Sequence, residues 1–320
     1  MLQSEKTNEM KRAAFVIHGK LKNQQGLINE IEEAFSGNYK IGFFTSEHSG
    51  HAIELSCKAA EEGFNYIICA GGDGSLNEVI NGVMQAKNKN TKLDVKAGVL
   101  PFGTGNDFIK TLKSPHTISG IKKMIDHDSS KEIDLGIVQF KDPSGSDSSR
   151  YFINITDIGI GGVVVQNIGR FTKALGANVT YMTAIINALL TYRNQPIRAV
   201  SDEFTFEGKV KNFVVANGRY FGSGICIAPE AVVDDGKFAI VILAEVSLID
   251  FLKFSNTAKK GLKINHPQII YKTAKEISID SLSIPQPIDM DGEFIGYSPM
   301  KINIVPKALS FLCPAETLSV

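Results

Sequence analysis

Short apolar runs alternate with amphipathic stretches over the first third of the chain. Residues 13–17 (AAFVI), 41–44 (IGFF), 66–70 (YIICA) and 97–100 (AGVL) read as strands. Between them three sets of apolar residues recur at helical spacing. They are Leu27, Ile28, Ile31 and Phe35; then Ala52, Leu55 and Ala59; then Leu76, Val79, Ile80, Val83 and Met84. Strands alternating with helices predict a parallel α/β sheet, whose ligands bind beyond the carboxyl ends of its strands. Past Glu132 the pattern changes. Residues 133–140 and 151–158 are strand-like, and the turn-rich 141–149 between them predicts a hairpin with a long exposed loop. Further strands are expected at 204–206, 212–216, 238–243, 276–279 and 301–305, with helices near 163–175, 179–192 and 247–261. The stretch 179–192 carries Tyr181, Met182, Ile185, Ile186, Leu189 and Leu190 and reads as a core helix before a lipid-facing one. A strand-rich second domain follows, a sandwich or an open barrel.

A chain of 320 residues, 43% hydrophobic, can bury the cores of two modest domains. Its 34 basic and 34 acidic residues cancel, so no global attraction to nucleic acid is expected. Cys57, Cys69, Cys226 and Cys313 are far apart and follow no metal spacing, as in a reduced, cytoplasmic protein. The polar start, 1–11, is no signal peptide. The longest apolar run, 238–244, falls far short of the ~20 residues of a membrane span. Contact with a membrane is therefore expected to be peripheral. Exposed strand edges allow a homodimer without requiring one.

The most informative stretch is 71–78, GGDGSLNE. Gly71, Gly72 and Gly74 surround Asp73 where a strand should end and a helix begin. Such a turn lets backbone N–H groups approach a phosphate at the positive end of the helix. It is not a P-loop, because the Gly-Lys-Ser/Thr ending is absent. Nor is it a dinucleotide fingerprint, because Asn77 stands in the place of the third glycine. Asn77 and Glu78 fall in the first turn, to cap the helix or face the site. The plain alternative is a tight turn with no ligand.

Three more turns carry chemistry. In PFGTGNDF, 101–108, Gly103 and Gly105 flank Thr104, and Asn106 or Asp107 can cap a helix. In DMDGE, 289–293, Asp-Gly signals a hairpin, yet a carboxylate on a rigid turn can act as a general base. In DDG, 234–236, a turn is the default and an oxygen site for a hard cation the sharper reading. His48 and His51 sit among serine, glycine and charged residues, as in a solvated loop, and no serine or cysteine forms a legible triad.

These residues resemble the diacylglycerol kinase catalytic-domain family, in particular soluble bacterial lipid kinases, with sphingosine and ceramide kinases as relatives. The resemblance runs from about Ala13 to Leu312 on five ordered signatures. They are GGDGSLNEVINGV at 71–83, PFGTGNDF at 101–108, IDLG at 133–136, NGRYFGSGICIAPEAVVDDGKF at 217–238 and DGE at 291–293. The resemblance implies an α/β nucleotide-binding domain over 1–135, like NAD kinase and phosphofructokinase, with 306–320 returning to it. A β-sandwich lipid-substrate domain over 136–305 and an ATP site in the cleft between domains complete the implied fold. It also implies that Gly72, Asp73, Gly74, Ser75, Leu76, Asn77 and Glu78 hold the ATP phosphates, with Thr45 and Thr104 contacting nucleotide. Glu293 matches the family's proton acceptor. Asp235 matches a Mg2+ ligand, joined by the backbone carbonyls of Val232 and Lys237. Asp107 and Asp134 match a polar network joining that ion to the cleft. Ser75 stands where the family has threonine, and His18-Gly19-Lys20-Leu21-Lys22-Asn23 replaces its Asn-Pro-x-Ser-Gly type first turn.

The chemistry so implied is transfer of the ATP γ-phosphoryl group to a lipid hydroxyl at a membrane surface, first of all diacylglycerol to give phosphatidic acid. Other hydroxyl lipids, sphingoid or glycerolipid, are the alternative acceptors. The sequence alone leaves open whether Glu293 or Asp73 takes the proton. Two rivals stand beside this reading. One is a small-molecule kinase of the NAD kinase or phosphofructokinase type, which shares the Gly-Gly-Asp-Gly turn. The other is a non-catalytic lipid- or nucleotide-binding regulator, which the intact Asp73, Asp107, Asp235 and Glu293 argue against.

Overall fold

The alternation of the first third folds as its periodicity predicts. The computed structural model describes residues 10–113, 117–170, 183, 185 and 187–314. Expected helical residues 171–175 and 179–182, with Tyr181, Met182 and Ile186, lie outside that set, as do 315–320 of the expected C-terminal return. Two compact units result, Met1–Phe102 with Lys113–Lys131 and Leu309–Val320, and Gly103–Leu112 with Glu132–Ala308. The expected first domain, 1–135, thus ends a few residues early and lacks 103–112. That segment is tied to the second unit, where Thr111 Oγ1 accepts from the Arg219 N–H and Asp107 Oδ2 from the Ser223 N–H.

The first unit holds β1 (Lys11–Ile17), α1 (Gln24–Ala34), β2 (Tyr39–Thr45), α2 (His51–Glu61), β3 (Tyr66–Gly71), α3 (Asp73–Lys89) and β4 (Lys96–Pro101). After α4 (Asp107–Leu112) of the second unit, α5 (Ile118–Asp126) rejoins it. The sheet runs β4–β3–β1–β2, all parallel, with the chain's last strand beside β4. Phe15, Ile68, Leu100 and Ile31 form one face of its core with Ile121 and Ile125 of α5. On the other face α2 and α3 touch so closely that a Cβ on Gly82 would lie 2.0 Å from Ser56 Oγ and 2.1 Å from the Ile53 carbonyl oxygen. Gly82→Ala therefore forces the helices apart despite its gain in helix propensity. It is expected to cost about 1–3 kcal/mol in chemical denaturation.

The second unit continues with β5 (Ser130–Lys141), β6 (Asp147–Phe152), β7 (Ile155–Gly159), α6 (Ile160–Arg170), β8 (Gln195–Ser201), β9 (Thr205–Val210) and β10 (Asn212–Ala216). Then come β11 (Tyr220–Phe221), β12 (Ile225–Cys226), β13 (Phe238–Leu243), α7 (Leu248–Lys259), β14 (Ile269–Ala274), β15 (Glu276–Ser281), β16 (Pro287–Met290) and β17 (Glu293–Leu312). One antiparallel run is β14–β13–β10–β7–β16–β17, and a second is β17–β15–β8–β9, with β5 and β6 joined to β17. Phe213, Ile240, Ile158 and Ile288 of the first run meet Ile197, Ile277, Ile302 and Phe152 in one sandwich core. The expected hairpin of 133–140 and 151–158 forms, but its second strand breaks at 153–154. There the Ile153 and Asn154 N–H groups turn to the Asp291 carboxylate instead of a neighbouring strand. The expected strand 301–305 is part of the much longer β17, whose start contains Gly296 and Pro299, residues that read as breaks.

Candidate functional site

At the carboxyl edge of the parallel sheet, Ile17 pairs with Thr45 and with Ala70, and Gly71 pairs with Pro101. The strand order reverses between β1 and β3, the place where such sheets bind ligands. The turn after β3 is at that place. A Cβ on Gly71 would sit 2.6 Å from Ser75 Cβ, so glycine lets the strand end press onto the first turn of α3. Gly72 is the N-cap of α3 in extended conformation and, as glycine, brings no side chain to cap it. The first N–H groups of a helix have no partner inside it. Gly72, Asp73, Gly74 and Ser75, all half-buried, form that start here. Thr45 is exposed at the end of β2.

The rest of the predicted loop turns inward. Leu76 and Asn77 are fully buried, and Asn81 Nδ2 donates to Asn77 Oδ1 at 3.1 Å. The Glu78 carboxylate accepts from the N–H groups of Gly50 at 2.8 Å and Ala52 at 3.2 Å. Glu78 thus caps α2, the preceding helix, whose own N-cap Gly50 has no side chain to offer. The side chains of Leu76, Asn77 and Glu78 thus serve core packing and capping, and of the two roles the sequence offered for Asn77 and Glu78, capping is the one Glu78 takes. The first turn, after β1, is built on backbone. His18 N–H donates to Ala70 O, Gly19 N–H to Ser46 Oγ, and a Cβ on Gly19 would lie 1.8 Å from Ser46 O.

In the second unit Thr104 is exposed, and Asn106 closes its turn by bonding both Gly103 N–H and Gly103 O. Asp107 is buried, bonded to Lys110 Nζ at 2.7 Å and to the Ser223 N–H. The 217–238 signature is held from inside. Asn217 donates to the carbonyls of Asp134 and Ile153, and Arg219 Nε to Ala231 O. Asp134 is fully buried, and its carboxylate accepts from the N–H groups of Gly236 and Lys307, each at 2.7 Å. Burial pushes the Asp134 carboxyl above its ordinary range; those two N–H groups pull it back, and Asp235 and Asp234 push it further up. The turn through Val232, Asp235 and Lys237 therefore concentrates negative charge against a buried carboxylate. Among the described residues no three acidic, histidine or cysteine groups form a cluster able to hold a metal. One carboxylate with two carbonyls and water still suits a hard cation.

The 289–293 turn separates its three acids by role. Asp291, in left-handed backbone, accepts from the N–H groups of Ile153, Asn154 and Ile155 at 2.9 to 3.1 Å. Asp289 Oδ1 accepts from the Gly292 N–H at 2.9 Å. Glu293, 31% exposed, opens β17 and pairs with Arg150 Nη2 at 2.8 Å. Sequence reasoning missed Arg150, which falls between the predicted loop 141–149 and the predicted strand 151–158. Only the pairing of β5 and β6 turns it toward Glu293. It also missed Asp157, fully buried in β7 with no partner for either carboxylate oxygen among the described residues.

Comparison with known proteins matches residues 12–138 to the diacylglycerol kinase catalytic domain and 155–313 to the YegS C-terminal NAD kinase beta sandwich-like domain. A diacylglycerol kinase of Staphylococcus carnosus is 29% identical over 96% of this chain and 97% of its own. One of Staphylococcus aureus (strain bovine RF122 / ET3-1) is 27% identical over 97% and 95%. The crystal structure of a diacylglycerol kinase from Bacillus anthracis str. Sterne is 19% identical and superposes at a TM-score of 0.70, covering 96% of this chain and 98% of that one. A second structure from that organism reaches 0.75 at 21% identity, covering 96% and 99%.

Proposed function

We propose that the chain, matched over residues 12–138 to the diacylglycerol kinase catalytic domain, is an ATP-dependent lipid kinase of that family and transfers the γ-phosphoryl group to the hydroxyl of a glycerolipid, with diacylglycerol, the acceptor its relatives are named for, turned over to phosphatidic acid. The observation that supports the nucleotide half most is the glycine-capped start of α3, pressed by Gly71 onto Ser75 at the carboxyl edge of a parallel sheet. Backbone N–H groups of 72–75 would hold the phosphates, and the helix dipole would favour their charge. Thr45 and Thr104 are assigned to the nucleotide, and Asp73 to orienting the hydroxyl. No helix among the described residues is long and apolar enough to cross a membrane, so the lipid would be taken from a surface the protein touches peripherally.

Phosphoryl transfer asks a protein mainly for positioning and charge neutralisation. The acceptor oxygen bonds to the γ-phosphorus as the bond to the bridging β–γ oxygen breaks and ADP leaves. Glu293 takes the hydroxyl proton. Arg150 holds the Glu293 carboxylate in one orientation, which a base within hydrogen-bond reach of its proton requires. Mg2+ would be held by Asp235 with the carbonyls of Val232 and Lys237, where it supplies charge that offsets Asp134 and Asp234. Asp235→Ala is then expected to lower the melting temperature in Mg2+ and to abolish the stabilisation Mg2+ gives the unaltered protein without nucleotide. A melting curve insensitive to both Mg2+ and the substitution removes the ion from this turn. The function itself is tested with labelled ATP against diacylglycerol, NAD and fructose 6-phosphate in parallel. Label in phosphatidic acid supports the reading, and label in either water-soluble acceptor overturns it.

A further inference from the structure

Asp157 and Asp289 are directly paired residues of β7 and β16, so their side chains share one face of the sheet. It is the helix-covered face, opposite the one on which Ile158, Ile288 and Met290 enter the sandwich core. Val214 pairs with Asp157 and Val241 with Val214, and Leu243 follows two residues on, so the face continues in apolar side chains. The two carboxylates are thus a polar island at one end of an apolar surface. Asp157 is 1% exposed and its two oxygens have no hydrogen-bond partner among the described residues. The Asn212 amide and the Gly162 N–H are close enough to favour its charged form without satisfying either oxygen. A Cβ on Gly161 would sit 2.2 Å from Asp157 Oδ1, so the first turn of α6 needs glycine where the carboxylate is. The buried Tyr192 hydroxyl has no hydrogen-bond partner among the described residues either and lies within the field of Asp157. Asp289 in turn feels Asp157, Asp291 and Glu293. A row of carboxylates therefore runs inward from the candidate base: Glu293, then half-buried Asp289, then Asp157.

Burying acceptor-only oxygens without a donor is costly, and chains keep such groups where a ligand or a proton completes them. We propose that Asp157 and Asp289 bind a hydrogen-bond donor on the lipid acceptor other than the hydroxyl that is phosphorylated, so that the protein prefers lipids with a second hydroxyl or an ammonium near the reacting group. The proposal rests on the lipid kinase reading and names the acceptor class within it. Diacylglycerol offers one hydroxyl, which Glu293 uses, and its ester carbonyls only accept. Monoacylglycerol adds a hydroxyl, and a long-chain 2-amino alcohol adds an ammonium. Without such a ligand the pair shares a proton. Burial pushes Asp157 up to about 7, and burial followed by the Asp157 charge pushes Asp289 well above the usual carboxylate range.

The test is labelled ATP with the full chain and mixed micelles of each lipid. The unaltered protein is expected to show kcat/KM at least about tenfold higher for one donor-bearing lipid than for diacylglycerol, since a polar site left unfilled discriminates strongly. In Asp157→Asn that ratio is expected to fall to about twofold or less, mainly through KM, while the melting temperature at pH 8 holds or rises as a buried charge is removed. For an amino alcohol, KM is expected to rise as pH falls below about 7, where the pair gains a proton. A monoacylglycerol preference without that pH response assigns the donor as hydroxyl. Equal or better turnover of diacylglycerol, or a ratio unchanged in Asp157→Asn and Asp289→Asn, overturns the proposal and leaves the kinase reading standing. No transfer to any lipid removes both.

Discussion

Glu293→Gln is expected to bind ATP with unchanged affinity, melt within a few degrees of the unaltered protein, and lose about 10²–10⁴-fold in kcat. The amide keeps the shape of the carboxylate and can still accept from Arg150 Nη2 through its oxygen. What it cannot do is take a proton from the acceptor hydroxyl. The side chain is partly exposed, and its neighbours in the turn are held by Asp289 and Asp291, so the fold does not rest on it. The loss belongs in kcat rather than KM, because the base acts only as the hydroxyl oxygen closes on phosphorus. Single-turnover kinetics with excess enzyme separates this from slow product release. A Glu293→Gln protein retaining more than a tenth of the normal rate would pass the role of base to Asp73, the other carboxylate considered for it.

Asp291→Ala, two residues away, is expected to do the opposite: to lose about 3–6 kcal/mol of stability and with it all activity. Three buried N–H groups, of Ile153, Asn154 and Ile155, depend on this one carboxylate. Removing it leaves each unsatisfied, at about 1–3 kcal/mol apiece before relaxation or entry of water. Alanine also strains the left-handed backbone at this position (φ 50°), which aspartate tolerates better. The break between β6 and β7 is built around these bonds, so the loss should spread to Asn154 and Asn217. Urea denaturation gives the size of the loss. Asp291→Asn, which retains one acceptor oxygen, should fall between alanine and the unaltered protein.

The two aspartates and the glutamate of 289–293 also mark where sequence reasoning reaches its limit. Asp-Gly and the surrounding acids identify a turn with chemistry, but not which acid serves the fold. That depends on partners more than 130 residues away in sequence, Ile153 for Asp291 and Arg150 for Glu293. The glycine turn after β3 was legible because its requirement is local. Gly71 must clear Ser75, and Gly72 must end a strand and start a helix. Glu78, only a few residues further on, was not, because its partners Gly50 and Ala52 come from another helix. The parallel sheet followed from period alone, since each buried strand is a short apolar run between amphipathic helices. The sandwich was less transparent. β16 is four residues long with an aspartate in it, β8 contains Pro196, and β17 runs through Gly296 and Pro299. Each is a sound strand only because its neighbours supply hydrogen bonds and a core. Asp157 gave no signal at all, because one aspartate in ITDIG becomes unusual only when both of its oxygens prove to be buried with no hydrogen-bond partner among the described residues.

The most direct test of the central claim follows the γ-phosphate itself. The full chain is incubated with γ-labelled ATP, Mg2+ and detergent-dispersed lipid, and label is counted in the organic and aqueous phases alongside ADP. Lipid phosphomonoester is expected to form one for one with ADP and only when lipid is present. ADP formed with all label left in the aqueous phase, at the same rate with and without lipid, would contradict it.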